Sequence, residues 1–132
     1  MSSDSVYVDR FALDMLPPVE QWPELIHLDE LGYPEELNVA VELLDENCAR
    51  GRGSRPCVGN PDFMWSYEEL RARAHRVAHV LVDELGLVPG ERVLLRAPNT
   101  PMLVACYFGV LLAGGVVVAT MPLLRAKELG YM

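Results

Sequence analysis

The sequence has 132 residues and a formal net charge of −8, and 72 of its residues are apolar when Gly is counted and Tyr is not. This length suits one domain, and the apolar content exceeds the ~45–50% of an average domain, which is typical of a protein that needs a partner or a missing half to cover its surface. Residues 1–47 carry −11 and residues 48–132 carry +3 without a basic cluster interleaved with aromatics, which disfavours nucleic acids and anionic membranes as partners.

The first 36 residues indicate an extended arm with little regular structure. Four prolines interrupt any long helix, and the charged residues among the first 15 leave no apolar segment for a secretory signal. Large apolar residues are dense enough to argue against disorder, and we expect several to hold the arm against a larger body: Val19, Trp22, Leu25, Ile26 and Leu28.

Residues 37–65 predict a helix followed by a hairpin. Asn38 is suited to cap a helix that runs to about Arg50, and Gly51 is suited to stop it. The apolar face of this helix is expected from Leu37, Val41, Leu44 and Cys48. Two short apolar runs at 56–58 and 63–65 flank residues 59–62, whose composition (GNPD) is that of a turn.

Residues 66–90 predict a capped amphipathic helix and a tight turn. Ser66 and Glu69 have the spacing of a capping box, in which each side chain accepts a hydrogen bond from the other residue's backbone N–H. One apolar stripe then follows at helical spacing: Leu70, Ala74, Val77, Ala78, Leu81, Val82 and Leu85. Gly86 ends the helix, and Pro89 followed by Gly90 favours a turn.

Residues 93–132 predict strand, helix, strand and helix in that order. Thr100 is suited to cap the first helix, with Pro101 at its first position, and residues 116–120 form the second strand before a final helix over 125–132. The 98–115 crossover indicates parallel strands joined by a right-handed connection. The predicted fold class is therefore α/β, with a partial parallel or mixed sheet flanked by helices.

Residues 102–124 also admit a membrane interpretation, because all 23 are uncharged. Gly114 and Gly115 divide this stretch, and the β-branched run that follows is typical of a buried strand. A short helix and a strand explain the pattern better, so we expect no membrane span.

No residue grouping specifies an active site. His75 and His79 have the spacing of a zinc-binding pair, but Arg76 stands where a metalloprotease helix carries its Glu, and no third ligand is evident. Gly114 and Gly115 follow a helix and precede a strand, which is the wrong order for a phosphate-binding loop. The three cysteines form no CxxC pair, which indicates reduced thiols in a cytoplasmic protein.

Several segments, read in order, resemble the opening region of the adenylate-forming (AMP-binding) superfamily, which includes acyl-CoA synthetases. They are 65–70 (WSYEEL), 88–93 (VPGERV), 97–99 (APN) and 112–116 (LAGGV). A narrower resemblance to 2-aminobenzoate-CoA ligases, with benzoate-CoA ligases as close relatives, rests on 16–23 (LPPVEQWP), 33–38 (YPEELN) and 120–129 (TMPLLRAKEL).

The resemblance implies the N-terminal portion of the large domain, with 1–36 as an arm and 37–132 as an incomplete α/β subdomain. In the intact enzyme, ATP and an aromatic carboxylate form an acyl-adenylate with Mg²⁺, and CoA then displaces AMP; such enzymes serve aromatic degradation. The phosphate loop, the aryl pocket and the catalytic Lys are expected beyond Met132, so no catalytic or metal-binding residue and no bound cofactor is expected in the fragment alone.

One contact is expected from the resemblance within these residues. The loop after strand 116–120 approaches the CoA nucleotide in related ligases, which implies a CoA-phosphate contact for Arg125, because Leu123 occupies the nearest matching position. The alternative for Arg125 is an ordinary surface charge at the start of the final helix.

Two other functions remain open for the whole chain. One is a free-standing interaction module that borrows this half-fold, and the other is an adenylating enzyme that loads a carrier protein. The expected partners are the remainder of the ligase chain and, through an exposed sheet edge or the apolar helix 101–113, a second copy of the chain.

Overall fold

The computed structural model describes residues 6–24, 29–34 and 36–132. Its helices are α1 (Phe11–Asp14), α2 (Tyr67–His79), α3 (Pro101–Leu112) and α4 (Ala126–Tyr131). Its strands are β1 (Pro56–Gly59), β2 (Met64–Ser66), β3 (Arg92–Arg96) and β4 (Val116–Thr120). Single 3₁₀ turns occur at Val19–Gln21 and Asp29–Leu31, and wider π turns occur at Val41–Asp45, Cys48–Arg52 and Val80–Glu84.

The strands form two small sheets, and this arrangement confirms the predicted α/β class. β1 and β2 pair antiparallel as a hairpin, in which Asn60 Oδ1 accepts from the backbone N–H groups of Asp62 and Phe63. β3 and β4 pair in parallel, with Arg92 opposite Val116 and Arg96 opposite Thr120. α3 is the crossover between these two strands, as the order of apolar segments predicted.

The helix starts agree closely with the sequence. The Ser66 hydroxyl accepts from Glu69 N at 3.2 Å, and a Glu69 carboxylate oxygen accepts from Ser66 N at 2.9 Å, which completes the predicted capping box. The Thr100 hydroxyl accepts from Leu103 N at 3.2 Å, with Pro101 at the first helical position. Local side-chain chemistry therefore sets where both long helices begin.

The helical segment 39–52 begins as predicted but faces the core differently. Asn38 Oδ1 accepts from Ala40 N at 3.0 Å, which confirms the cap, and Gly51 adopts a φ of 77° near the end of the segment. Leu44 is buried as predicted, but Leu37 is 42% exposed and Val41 39% exposed, whereas Ala40 is fully buried. The predicted face was wrong at these two positions: Leu37 lies before the Asn38 cap and so outside the helix, and Val41 begins a π turn, where the spacing departs from that of a regular helix.

The amide of Asn38 also reaches a second helix. Its Nδ2 group donates to Leu111 O at 2.8 Å, so one side chain caps the start of segment 39–52 and satisfies a carbonyl in the last turn of α3. The last carbonyls of a helix have no partner within it; Leu111 O also accepts from Gly114 N at 3.0 Å, so the Asn38 amide is its second donor. Asn38 thereby ties together two elements that are 73 positions apart in the chain.

The core lies where α2 crosses α3. Its fully buried members are Leu44, Leu70, Ala74 and Ala105, with Trp65 and Phe108 among the partly buried residues packed around them. Gly109 lies in this crossing, and a Cβ there would stand 2.6 Å from Val77 Cβ and 3.0 Å from Ala74 O. The two helices therefore approach too closely for any larger residue at position 109.

The predicted apolar stripe of α2 is buried only along its first half. Leu70 and Ala74 are buried and Val77, Ala78 and Leu81 are half-buried, whereas Val82 and Leu85 are exposed. α3 is partly covered on most of its surface, although Met102 and Tyr107 are exposed. The exposed apolar residues are consistent with a surface that requires covering, and self-association stays a prediction.

The arm is attached through residues that the sequence analysis did not single out. The backbone N–H groups of Val8 and Asp9 both donate to Pro89 O at 2.9 Å, and the Asp9 carboxylate pairs with Arg92. Gly90 has a φ of 96°, and a Cβ there would stand 2.0 Å from Asp9 O, so the close approach of the arm requires glycine.

The residues expected to hold the arm are not those that make these contacts. Val19 is 70% exposed, and Trp22 is half-buried with its indole N–H donating to Pro17 O at 2.7 Å within the arm itself. Leu25, Ile26 and Leu28 lie outside the described residues. Val19 does not hold the arm against the described part of the chain, whereas the role of Trp22 and the division of the chain at residues 36 and 37 stay predictions.

The uncharged stretch 102–124 is a helix and a strand separated by Gly114 and Gly115, as predicted. α3 ends at Leu112, Gly114 adopts a φ of 76°, and β4 begins at Val116. Within the described residues, no helix combines the length and the apolar character needed to cross a bilayer.

Candidate functional site at the carboxyl ends of β3 and β4

The parallel strands β3 and β4 end side by side, and the chain leaves both in loops. Arg96 and Thr120 are paired at this edge, and the Thr120 hydroxyl donates to Leu95 O at 3.2 Å across the strands. Ligands of open α/β sheets characteristically bind beyond the carboxyl ends of parallel strands. Functional side chains are therefore expected at this edge of the sheet.

Arg96 holds the loop that follows β4. Its Nη2 atom donates to Pro122 O at 2.5 Å and to Leu124 O at 2.8 Å. Within the same loop Leu124 N donates to Met121 O at 3.2 Å, which closes a turn. The guanidinium group is always protonated, so both bonds to carbonyl oxygens are charge-assisted.

Arg125 is the last residue of the loop that Arg96 holds, residues 121–125. Its backbone N–H donates to a Glu128 carboxylate oxygen at 2.9 Å, and α4 begins at the next residue. The side chain is exposed, and within the described ranges its guanidinium group forms no ion pair with a carboxylate. The structure thus places Arg125 at the expected edge and on an exposed surface, and its contact with CoA stays a prediction.

The two histidines of α2 are engaged by different carboxylates. His75 Nε2 lies 2.9 Å from Asp45 Oδ1, and His79 Nδ1 lies 3.1 Å from Asp83 Oδ2. Across the part of the chain that the structure describes, no group of three or more His, Cys, Asp or Glu residues is placed to hold a metal ion. Each histidine is accounted for by a local ion pair or hydrogen bond.

Asp45 joins segment 39–52 to α2 through a cluster that includes a cation. Its Oδ1 atom accepts from Arg71 Nε at 2.6 Å as well as contacting His75. Partial burial acts to raise the pKa of Asp45, but the hydrogen bonds from Arg71 and His75 outweigh it, and the pKa lies below its ordinary value. Asp45 Oδ2 is buried without a hydrogen-bond partner among the described residues, so this carboxylate is held at a structural cost.

Cys48 and Cys57 offer no activated nucleophile. Burial raises the pKa of the Cys48 thiol and of the Cys57 thiol above their ordinary values. The thiolate is the reactive form of cysteine, so both side chains are less reactive at neutral pH than an exposed thiol.

An open groove of about 350 Å³ runs beside β3 at the end of α2. Its lining is mainly leucine, with one acidic and one basic residue: Leu81, Leu85, Leu87, Val93, Leu94, Glu91 and Arg92. None of the residues singled out for chemistry lies in it. The groove is apolar surface rather than a built site.

Sequence reasoning missed the role of Arg96. One signal was present, because Arg96 is a charged residue that ends the short apolar run 93–95 and directly precedes the APN segment. Its acceptors lie 26 and 28 residues away, so only the folded chain brings them within reach.

The comparisons with known proteins agree with the geometry. The pattern of the family described as "AMP-binding enzyme" matches residues 44–132. The chain is 43% identical over 79 residues to the salicyl-AMP ligase / salicyl-S-ArCP synthetase of Mycobacterium tuberculosis, covering 60% of this chain and 13% of that protein. It is 30% identical over 102 residues to the benzoate-CoA ligase of Thauera aromatica, covering 77% of this chain and 19% of that protein.

A solved structure shows the same fold. The crystal structure of the anthranilate CoA ligase AuaEII in complex with anthranoyl-AMP superposes with a TM-score of 0.67 at 27% identity, over 76% of this chain and 19% of that one. This likeness confirms the predicted fold, the N-terminal portion of the large domain of an adenylate-forming enzyme. The chain spans less than a fifth of the length of these relatives. With two thirds of its residues matched by the family pattern, the chain belongs to the AMP-binding enzyme family.

Proposed function

We propose that this chain is the N-terminal part of an ATP-dependent ligase that converts an aromatic carboxylate, 2-aminobenzoate or benzoate, into its CoA thioester. The observation that carries the proposal is the family match, together with the likeness to a benzoate-CoA ligase and to an anthranilate CoA ligase. The three segments that resemble 2-aminobenzoate-CoA ligases, 16–23, 33–38 and 120–129, extend this support to both ends of the chain.

The proposed reaction has two steps. A carboxylate oxygen of the acid forms a bond to the α-phosphorus of ATP and pyrophosphate leaves; the CoA thiol then attacks the acyl carbon, loses its proton and displaces AMP. Mg²⁺ and cationic side chains supply the charge stabilisation that phosphate chemistry needs. Among the residues of this chain, Arg125 suits a phosphate, because its exposed guanidinium group forms no ion pair within the described ranges.

The 132-residue chain by itself is proposed to be inactive. No side-chain grouping within the described residues combines a nucleophile, a base and an orienting group, and the burial of Cys48 and Cys57 raises the pKa of each thiol. The working site is proposed to form with further polypeptide in the intact enzyme. Its place of action is the cytoplasm, where ATP, CoA and reduced cysteines coexist.

A second candidate is an adenylating enzyme that passes its acyl group to a carrier protein. The likeness to a salicyl-AMP ligase / salicyl-S-ArCP synthetase favours it, since this relative shares 43% identity with the chain. Both candidates share the first step with an aromatic acid, and they differ only in the thiol that accepts the acyl group.

The test uses the full protein that contains this chain. Pyrophosphate release is measured with ATP, Mg²⁺ and each of 2-aminobenzoate, benzoate, salicylate and hexadecanoate, and the acyl product is then followed with CoA or with a carrier protein as acceptor. We expect release with an aromatic acid and a CoA thioester as product. Preference for hexadecanoate refutes the aromatic substrate, and transfer to the carrier protein alone refutes CoA as acceptor.

The isolated 132 residues are assayed beside the full protein under the same conditions. We expect no carboxylate-dependent pyrophosphate release from them. Turnover by the isolated chain contradicts the proposal that its working site forms with further polypeptide.

A further inference from the structure

We infer that Arg96 is a positioning residue that fixes the 121–125 loop and, through it, sets where the guanidinium group of Arg125 is presented. This inference deepens the proposed function and rests on it for the identity of the ligand. Arg96 and Arg125 lie at the same edge of the β3–β4 sheet, but their guanidinium groups have different contacts: that of Arg96 is bonded to backbone and that of Arg125 is exposed.

The contacts of Arg96 are directed at backbone, not at solvent. One nitrogen, Nη2, donates to the carbonyl oxygens of both Pro122 and Leu124. Pro122 has no N–H to donate, so the backbone of this short loop depends more on its acceptors for attachment. With a donor from β3 on two of its carbonyls, the loop is tied to the neighbouring strand instead of to β4 alone.

The strand pairing gives this attachment a fixed base. Arg96 is opposite Thr120 in the parallel register, and the Thr120 hydroxyl donates to Leu95 O. The ends of β3 and β4 are therefore bonded to each other where the loop leaves β4. From that base the guanidinium group bridges to the loop that leaves β4. A rigid strand is a better support for a binding group than a loop is.

The side chain of Arg125, unlike that of Arg96, is directed to solvent-exposed surface and forms no ion pair within the described residues. Arg125 is the last residue of the held loop, its side chain is exposed, and its only contact to a carboxylate in the described residues is made by its backbone N–H to Glu128. Because the guanidinium group of Arg96 is occupied by carbonyl oxygens, an anionic group at this edge meets the exposed cations of the following residues, of which Arg125 lies nearer to the held loop than Lys127 does. The CoA phosphate of the proposed function is that group.

The test compares three variants of the full protein, Arg96→Met, Arg96→Lys and the matched control Arg76→Met. Arg76 is an exposed arginine on α2, so its replacement removes the same charge without touching the loop. Hydrogen exchange of the peptide that spans 121–125 is measured together with KM for CoA and with the rate of the pyrophosphate-releasing step.

For Arg96→Met we expect exchange in the loop to become at least about tenfold faster, because both charge-assisted bonds from Arg96 to the loop are lost. KM for CoA should rise while the pyrophosphate-releasing step is unchanged, and Arg96→Lys should restore part of both effects. Arg76→Met should match the wild type in each measurement.

Two results overturn the inference. Unchanged exchange with a raised KM means that Arg96 itself contacts CoA, and faster exchange with an unchanged KM means that the loop does not present the binding group. If the protein forms no CoA thioester, the proposed function fails, while hydrogen exchange still decides whether Arg96 holds the loop. The two failures are therefore distinguishable.

Discussion

Replacement of Gly109 by Ala should destabilise the protein, although alanine favours a helix more than glycine does. Gly109 lies within α3 at its crossing with α2, and it is buried. A Cβ at this position would stand 2.6 Å from both Cβ and Cγ1 of Val77 and 3.0 Å from the carbonyl oxygen of Ala74. Carbon atoms in good contact are ~3.5–4.0 Å apart, so the helices have to separate by about 1 Å.

The magnitude follows from two opposed effects. The Gly→Ala change inside a helix stabilises by about 1 kcal/mol, because glycine loses more backbone entropy on folding. Overpacking a core costs about 1–3 kcal/mol, and here it falls at the high end, since Val77 is β-branched with a nearly fixed rotamer and Ala74 O is backbone. We expect a net loss of about 1–2 kcal/mol in the free energy of unfolding.

Urea unfolding followed by far-ultraviolet circular dichroism measures this loss. The matched control is Gly130→Ala in α4, where a Cβ meets nothing within 4 Å and only the helix-favouring effect remains. An unfolding midpoint for Gly109→Ala that equals or exceeds that of the wild type refutes the close-packing argument. A lowered midpoint for Gly130→Ala would show that the comparison of helix propensities is itself unsound.

Three further predictions follow from other contacts. Asn38→Asp keeps the helix cap but lacks the donor to Leu111 O, so urea unfolding should show a loss of about 1 kcal/mol, against about 2 kcal/mol for Asn38→Ala; an unfolding free energy of Asn38→Asp equal to that of the wild type would show that the bond to Leu111 O contributes nothing. Folding lowers the pKa of Asp45, although partial burial alone would raise it, because hydrogen bonds such as that from Arg71 prevail. This carboxylate therefore adds stability above pH ~4 that is lost as the pH falls through its folded-state pKa. Asp45→Asn should weaken the fall of the unfolding free energy at acidic pH. Asp62→Asn, which changes an exposed loop carboxylate, should leave that fall unaltered. The same pH dependence for Asp45→Asn and the wild type would contradict the stabilising role of the Asp45 carboxylate. Sedimentation of the isolated chain should show concentration-dependent self-association, and a monomer at high concentration would argue against an uncovered apolar face or sheet edge.

The features that the sequence predicted correctly are mostly local. The capping box at Ser66 and Glu69, the Thr100 cap and the turn at Gly90 each depend on residues within a few positions of one another. The parallel pairing of β3 and β4 followed from the helical crossover between them, which an antiparallel hairpin does not need.

The features that the sequence did not predict depend on geometry or distance. Leu37 and Val41 were assigned to a buried face by counting in regular turns, but Leu37 lies before the helix begins and Val41 begins a π turn. The bonds of Arg96 to the 121–125 loop and of Asp45 to α2 join residues at least 26 positions apart. The spacing of residues along the chain does not predict such long-range contacts, because they form only when the helices and strands pack.

The double use of the Asn38 side chain has a consequence for the order of events during synthesis on the ribosome. Its oxygen acceptor serves Ala40 within the same stretch, so that bond is available as soon as the stretch emerges from the exit tunnel. Its amide hydrogens find their carbonyl only after Leu111 has been translated. At ~5–20 residues per second, this bond to α3 becomes possible several seconds after Asp45 of the same segment can meet Arg71 of α2. The segment is thus able to dock on α2 first, and the Asn38 amide completes its attachment to α3 as a later step of maturation.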